Sequence, residues 1–464
     1  MRPRRTAVPL LFLAALPLAA FPPDAAWAQE SSRGEAPTPD TAEDLAGPLQ
    51  SAFEEELAPA GRIPALEKLR KKLPPFLRDT ELTFRFRTFY WNEKKIDDTQ
   101  PRALTVGGAL VYQSGQLKDV FSMGASLYFS EPLWAPSDGD GTGLLQPGQN
   151  GYFVAGQAWG KIRYADQSLQ LYRQVVDLPY VNKADTRMTP NTFEAYMLRG
   201  SVPEVPRLGQ INYVIGWIDK IRRRDQADFV PMSNAAGVPG GDDGMFTTAF
   251  RSRPNDQSYV GVTNHFVPDT FNTLYAEASY VRSFERILRH PLDDSLGFRF
   301  EGQVTWQRGV GAERLGAFDA VNFSWRSALS YRSVIFTVAT SVTGDDGEIQ
   351  KPWGLYPGYL GLMQSDFDRP GETAWLLGLS YDFEKLGVPG VSAFINYAEG
   401  FNGLLVGTST ITNERAVDAT VDYKPKEGWY RGIWLRVRGS WLKVKGEGTA
   451  TQVRVILNYD FPIL

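Results

Sequence analysis

Seven arginines lie on the polar face of segments whose side chains alternate between large apolar and polar. Such a period of two is typical of a β-strand with two unlike faces. In the segment Ile433–Val444, for example, Arg436 and Arg438 alternate with Leu435 and Val437. A guanidinium group is a rigid fork of donors that fits a carboxylate, so a row of them predicts a track for anionic solutes. The seven are Arg85, Arg87, Arg299, Arg326, Arg436, Arg438 and Arg454.

Carboxylates on the same face leave a second interpretation open. Glu301, Asp418, Asp422 and Asp460 point the same way as the arginines by parity. Each of them could pair with an arginine and merely fill the wall of the protein. Parity places a residue on a face of a strand, and it does not decide which residues form ion pairs.

Composition and the first residues indicate an exported protein without enzyme chemistry. The chain has 464 residues, no cysteine and two histidines, neither in a recognisable nucleophile setting. We therefore expect no enzyme activity, no metal and no cofactor. Residues 1–28 combine early arginines, an apolar run and Ala26-Trp27-Ala28, as a secretory signal peptide does. Three of the 49 basic and one of the 53 acidic residues lie in this segment, so the chain without it has 46 basic and 52 acidic residues. This net negative charge predicts no nucleic-acid partner.

The rest of the chain divides into a short extension and a long all-β region. Residues 29–76 are rich in Pro, Ala and Glu, and they predict a partly disordered periplasmic extension with a short amphipathic helix at Ile63–Leu73. Residues 77–464 contain about 18 alternating segments and no apolar run long enough for a transmembrane helix. The first two strands begin near Glu81 and Leu104, and the others lie near 118–130, 151–165, 168–175, 192–201, 208–219, 256–266, 271–280, 283–290, 295–307, 318–331, 333–343, 373–384, 389–398, 414–423, 431–444 and 450–461.

An outer-membrane barrel explains this alternation better than a secreted β-sandwich. Strands of ~12 residues tilted by ~40° cover the apolar band of ~25 Å in such a membrane. An arginine that faced lipid near the midplane would cost ~2–4 kcal/mol, so the seven arginines are expected in the lumen. Aromatic residues at strand ends, such as Tyr90 and Trp91, are typical of interfacial belts. We predict an all-β, antiparallel transmembrane β-barrel in the outer membrane of a Gram-negative bacterium, in contact with its lipid.

Connection lengths support the barrel, because short turns alternate with long connections as periplasmic turns and external loops do. The predicted short turns are 165–167, 267–270 and Arg332, and the predicted long connections are 221–255, 344–372 and 399–413. The excursion from Val175 to Pro190 differs from these. Its apolar residues, Leu178, Tyr180 and Val181 among them, predict a loop that folds inward and narrows the channel.

Several stretches resemble the OprD family of substrate-specific outer-membrane porins. They cover about residues 77 to 464, and the resemblance rests on motifs in the inward loop, a later loop with its hairpin, and the last two strands. The motif residues are Tyr172–Gln174, Asp177–Val181, Asp185–Phe193, Gln364–Glu372, Trp375, Tyr381–Phe383, Gly387–Gly390, Leu435–Arg438 and Val453–Ile456.

The resemblance implies an eighteen-stranded monomeric barrel whose third and seventh loops form a narrow eyelet. It also implies a ladder of basic residues that guides carboxylate-bearing nutrients, with Arg436, Arg438 and Arg454 among its members. The residues that it assigns to the constriction loops are Asp177, Tyr180, Asp185, Arg187, Ser365 and Asp366. The chain departs from the family in its long N-terminal extension and its Phe461-Pro462-Ile463-Leu464 end, so a loose trimer stays an open alternative.

The predicted function is passive, selective diffusion of small carboxylate-bearing solutes such as amino acids and aromatic or other organic acids. The main alternative is a general diffusion porin in which the arginines only impose weak ion selectivity. A barrel enzyme would need an activated nucleophile, and a purely structural barrel has no use for inward arginines or an inserted loop.

Overall fold

The protein is described by a computed structural model for residues 73–284, 296–405, 410–425, 427–428 and 430–464. The predicted signal peptide, and the predicted extension and its helix as far as residue 72, lie outside the described residues. Helical structure in the described ranges is short: α1 (Pro75–Arg78), α2 (Met232–Ala235) and two 3-10 turns, Ser137–Gly139 and Glu384–Leu386. None of these helices is long and apolar enough to cross a lipid bilayer.

Nineteen strands of the described chain form one antiparallel sheet that closes on itself. Eighteen are long, and the two-residue β8 pairs with the end of β7. β1 pairs with both β2 and β19, so the first and last strands seal the barrel. The strands are β1 (Glu81–Lys94), β2 (Arg102–Gln113), β3 (Phe121–Trp134), β4 (Tyr152–Tyr164), β5 (Gln167–Gln174), β6 (Thr192–Val205), β7 (Gly209–Arg222), β8 (Val230–Pro231), β9 (Met245–Asn255), β10 (Ser258–Val267), β11 (Phe271–Phe284), β12 (Leu296–Gly309), β13 (Asp319–Tyr331), β14 (Val334–Thr343), β15 (Thr373–Asp382), β16 (Val391–Leu404), β17 (Ile411–Tyr423), β18 (Ile433–Val444) and β19 (Gly448–Pro462).

The two faces of the barrel differ in the way that the alternation predicts. On β18, Val437 is 42% exposed on the outer face, whereas Arg436 and Arg438 are buried on the inner face. Phe300 and Phe323 are likewise exposed on the outside, next to inward Glu301 and Asn322 in their strands. The outer surface is therefore apolar where lipid would lie, and the charged residues face the lumen.

The predicted barrel of 18 strands is confirmed, but two errors in individual strands cancel in that count. β9 (Met245–Asn255) was missed inside the predicted long connection 221–255. The separate strand predicted at 283–290 is wrong at its start, since residues 283 and 284 continue β11, and residues 285–290 lie outside the described ranges. β11 pairs directly with β12 from Phe271 to Phe284, so no strand separates these two.

Because β9 was missed, one turn was predicted at the wrong end of the barrel. Residues 268–270, predicted as a short periplasmic turn, join β10 to β11 at the end of the barrel that carries the long loops. The predicted long connection 399–413 is shorter as well, because β16 continues to Leu404 and β17 begins at Ile411. We call the two ends of the barrel the loop end and the turn end.

Four connections at the loop end are used below: L2 (residues 135–151), L3 (175–191), L4 (223–244) and L7 (344–372). L3, L4 and L7 share one buried apolar cluster with the inner faces of β6, β7, β9 and β10, as Val181, Met232 and Trp353 show. The three loops therefore pack together against one side of the lumen, and the predicted inward loop is present.

Candidate functional site

L3 is fixed to the inner wall by hydrogen bonds as well as by packing. The His265 imidazole on β10 lies between two partners, with Nε2 2.7 Å from the Pro179 carbonyl and Nδ1 2.8 Å from the Thr247 hydroxyl. A carbonyl only accepts, so Nε2 carries the proton and Nδ1 accepts from Thr247. The Tyr180 hydroxyl lies 2.8 Å from that of Thr305 on β12. These contacts hold the loop across the barrel.

L3 and L7 are joined through the buried side chain of Asn182. Its amide nitrogen donates to the Leu355 carbonyl at 3.1 Å. Its amide oxygen accepts from the backbone N–H groups of Leu355 at 2.8 Å and Ala184 at 3.1 Å. Gly354 permits this approach, because a Cβ there would come within 2.7 Å of Asn182 atoms. The Trp353 indole donates to the Met232 carbonyl of L4 at 2.9 Å, which ties the third loop to the other two.

The tip of L7 crosses the lumen to the opposite wall. The Met363 backbone N–H donates to Asp418 on β17 at 2.6 Å, and the Ser365 hydroxyl donates to Glu414 at 2.6 Å. Gln364 lies 2.9 Å from the Ser440 hydroxyl on β18, which donates to its amide oxygen. L7 thus reaches β17 and β18, and L3 reaches β1 through the Arg87–Asp185 ion pair, so the two loops narrow the lumen beside the wall from β17 to β1.

The narrowed wall carries an arginine row at one level. Arg438 on β18 lies directly opposite Arg454 on β19, and Arg454 lies opposite Trp91 on β1. The Arg454 guanidinium carbon is 3.9 Å from the centre of the Trp91 ring, and that of Arg187, from L3, is 4.0 Å from it. Both guanidinium groups are therefore within cation–π distance of the same indole ring. We call this group the Trp91 stack.

The two arginines of the Trp91 stack have neutral partners. Arg454 donates to the Gln452 side chain at 2.7 Å, and Arg187 donates to the Thr142 carbonyl at 2.7 Å. Neither forms an ion pair with a carboxylate in the part of the chain that the structure describes. Burial and the neighbouring Arg224 guanidinium lower the pKa of Arg187 to about 9, which leaves it charged at neutral pH. The stack is thus a positive site without a direct ion pair, and the nearest carboxylate, Glu93, accepts the Trp91 indole N–H at 3.3 Å.

Five of the six other predicted ladder members have carboxylate neighbours, whereas Arg438 donates to the Thr420 hydroxyl at 3.1 Å. Arg436 makes a two-pronged bond to Asp422, directly opposite on β17, at 2.7 and 3.0 Å. Arg326 binds Glu301 at 2.6 Å. Three further pairs are Arg299 with Glu301 at 4.0 Å, Arg85 with Asp460 at 3.6 Å, and Arg87 with Asp185 of L3 at 2.6 Å. The pairing interpretation holds for Asp422, Glu301 and Asp460, whereas Asp418 binds the L7 backbone.

The pairing register of the strands gives the order of these residues between the loop end and the turn end. Arg87 precedes Trp91 by four positions on β1, which is roughly 13 Å towards the turn end. Arg436 lies two positions below Arg438, roughly 7 Å lower. Positive groups therefore occur at successive levels of one wall, from the Trp91 stack through Arg436 and Arg87 to Arg85.

The residues predicted for the constriction loops have different surroundings. Asp185 and Asp366 are each about a third exposed towards the lumen. Tyr180 is only 1% exposed, so it anchors L3 instead of lining the passage. Asp177 lies 3.4 Å from Lys183 within L3, and Ser365 holds the L7 tip through the bond to Glu414 described above. Burial raises the pKa of neighbouring Asp368 to about 6.

Sequence reasoning missed two central residues. Lys351 bridges Asp366 at 2.8 Å and Asp368 at 2.6 Å, and these charges outweigh burial and raise its pKa above the usual value. Trp91 was assigned to an interfacial belt, but it is 2% exposed and faces inward. Its parity matches that of Arg85 and Arg87, which was the available signal. The sequence held no such signal for Lys351, because side chains in a loop do not alternate between two faces.

Comparisons with known proteins agree with the barrel fold. The family model of the outer membrane porin, OprD family, matches residues 74–463. Porin D of Pseudomonas aeruginosa is 23% identical over 430 residues, 84% of this chain and 92% of that protein. The structure of P. aeruginosa OccK9 (OpdG) is similar with a TM-score of 0.74 and 20% identity, over 84% of this chain and all of that one. The structure of P. aeruginosa OpdK with vanillate is similar with a TM-score of 0.70 and 20% identity, over 83% of this chain and 100% of that one. The chain therefore belongs to the OprD family of outer-membrane porins, passive channels of Gram-negative bacteria that are not enzymes.

Proposed function

We propose that this porin is a selective channel for small carboxylate-bearing solutes, which pass the constriction along the inner arginines. The observation that carries the proposal is the Trp91 stack. Arg454 and Arg187 are positive groups without an ion-pair partner among the described residues, at the level where L3 and L7 confine the lumen. A carboxylate is the small group that such forks of donors bind best.

The levels below the stack provide a path for the bound carboxylate. Arg436 and Arg87 already hold carboxylates of the protein, Asp422 and Asp185. A solute carboxylate can exchange with these groups, so each site is shallow and the solute is not trapped. The solute gradient drives the movement. OpdK, one of the similar structures, was solved with vanillate, a small aromatic carboxylate, and this agrees with the proposed class of solute.

A general diffusion porin with weak ion selectivity is the second candidate. It is favoured by the ion pairs themselves, since Arg326, Arg436 and Arg87 are neutralised within the wall. In that case the arginines are part of the barrel structure and the solute meets only a weak field. The two candidates differ in whether a carboxylate binds saturably inside the pore.

Single-channel recording of the purified protein separates the two. We expect benzoate and vanillate to interrupt a small conductance saturably, and Arg454→Gln to weaken that block about ten- to a hundredfold, since a charged hydrogen bond contributes ~1.5–3 kcal/mol. The control is Arg308→Gln, which removes a guanidinium from the exposed outer face of β12. A large ohmic conductance that neither solute changes would establish the general pore instead.

We also propose that the porin is a monomer, in which one chain forms the whole channel. The support is the pairing of β1 with β19, which closes the sheet within a single chain. The mass of the protein in detergent, measured by light scattering, tests the monomer against a trimer.

A further inference from the structure

A cavity of about 270 Å³ lies at the loop end, where L2, L3 and L4 meet. Its wall is polar and carries four charged side chains, two basic and two acidic. A cavity of this size is close to the lower limit for small-molecule sites, so it suits a solute as small as one amino acid. The lining residues are Asp140, Gly141, Thr142, Gly143, Leu145, Pro147, Arg187, Arg224 and Asp225.

The two guanidinium groups in this wall have donors to spare. Arg187 uses Nε for the Thr142 carbonyl and Nη1 for Thr186. Arg224 uses Nη1 for the Thr186 hydroxyl at 2.6 Å and for the Ala184 carbonyl at 3.3 Å. The Nη2 group of each donates no hydrogen bond to any residue in the described ranges. These donors are available to a carboxylate in the cavity.

The two acidic residues of the wall differ from each other. Asp140 is occupied in shaping L2, because its oxygens accept the backbone N–H groups of Gly141 and Gly148, both at 2.7 Å. Asp225 makes no hydrogen bond or ion pair with the described part of the chain. A carboxylate that forms no hydrogen bond or ion pair with the described chain, close to two guanidinium groups with spare donors, makes the cavity bipolar. Such a wall is complementary to a solute that carries both charges.

We propose that this cavity is an entry subsite for zwitterionic α-amino acids, with the solute carboxylate on Arg187 and Arg224 and its ammonium group on Asp225. This inference rests on the proposed function and adds a capture step before the constriction. Arg187 connects the two places, since it lines the cavity and also stacks on Trp91, on which Arg454 stacks as well. A carboxylate released from the cavity therefore meets the next positive group at the same aromatic ring.

The test compares two solutes that differ only in the ammonium group, L-phenylalanine and 3-phenylpropanoate. Each is added to the loop end or to the turn end of the porin in a planar bilayer, and the rate of blocking events is counted. We expect L-phenylalanine to block about fivefold faster than 3-phenylpropanoate from the loop end, as one ion pair of ~1 kcal/mol gives. We expect no such preference from the turn end.

Asp225→Asn is the deciding variant, because Asp225 has no bond within the described chain that holds a loop in place. It is expected to remove the preference for L-phenylalanine from the loop end without slowing 3-phenylpropanoate. The matched control is Asp98→Asn, at an exposed turn of the same barrel end, where Asp98 pairs with Lys94. Arg224→Gln is expected to slow both solutes from the loop end only.

Two results would overturn the inference. Equal blocking rates for the two solutes in the wild-type protein would show that the cavity does not recognise the ammonium group. An Asp225→Asn effect that is the same from both ends would place it in the constriction and not in an entry site. A wild-type channel that neither solute blocks would contradict the proposed function itself, so the two failures are distinguishable.

Discussion

Replacing Asn182 with alanine tests whether the joint between L3 and L7 sets the width of the channel. The side chain makes three hydrogen bonds to backbone groups of Leu355 and Ala184. Their loss takes a partner from the buried Ala184 N–H and from the partly buried N–H and carbonyl of Leu355, at ~1 kcal/mol each and so at most about 3 kcal/mol in total. At 1.4 kcal/mol per factor of ten, the population of the loosened loops rises by roughly two orders of magnitude.

The barrel wall is expected to remain intact in Asn182→Ala, because strand pairing does not involve this residue. Single-channel conductance and open-channel current noise should both increase, while the unheated protein keeps its compact mobility on a gel. The control is Asn264→Ala on β10, which removes two side-chain hydrogen bonds within the wall. If the two variants and the wild type show the same conductance and noise, the joint does not hold the constriction and the reasoning is refuted.

Two further predictions concern loop charges. Lys351→Met leaves Asp366 and Asp368 without their shared cation. We expect the anion-to-cation permeability ratio to fall about fivefold, which corresponds to ~1 kcal/mol of Coulomb energy. Reversal potentials in a salt gradient measure this ratio, and an unchanged ratio would show that Lys351 does not neutralise the two carboxylates. Burial opposes ionisation of Asp185, but the charge and hydrogen bonds of Arg87 prevail and lower its pKa. The stabilisation from this pair is therefore present above the ordinary value of 3.8 and is lost as pH falls through the lowered pKa. The conductance difference between wild type and Asp185→Asn should stay constant from pH 8 to 5, and a step within that range would contradict the assignment.

The sequence predicted the wall of the barrel well, because lipid on one side and polar lumen on the other impose alternation on every strand. The exception, β9, shows the limit of that rule. Its inward residues include apolar Met245 and Ala249, which pack with L4, beside polar Thr247 and Arg251. Its outward residues mix Phe246 and Phe250 with Thr248 and Ser252, so neither face is uniformly apolar or polar. With the alternation weakened, the strand looked like part of a loop. The separate strand predicted to start at residue 283, where β11 in fact continues to Phe284, kept the predicted number even.

The candidate site was predictable only as far as the wall extends. Parity placed Arg436, Arg438 and Arg454 in the lumen, and it would have placed Trp91 there too. Which charges are neutralised depends on contacts between residues far apart in sequence, such as Arg87 with Asp185 of L3. No local pattern encodes those contacts, since they depend on how a loop without a period packs across the barrel.

The contrast between Arg436 and Arg454 shows why these contacts matter for transport. Both are inward arginines on neighbouring strands, yet a directly opposed Asp422 neutralises one, whereas the other lies opposite Arg438 and Trp91. Like charges opposite each other across a strand pair are destabilising, and stacking on Trp91 offsets part of that cost without removing the charge. A wall built only for stability would place an acid there, as it does for Arg436. Leaving Arg454 without a direct ion pair, with Glu93 bonded to Trp91 instead, keeps its guanidinium group available for a carboxylate of the solute during passage.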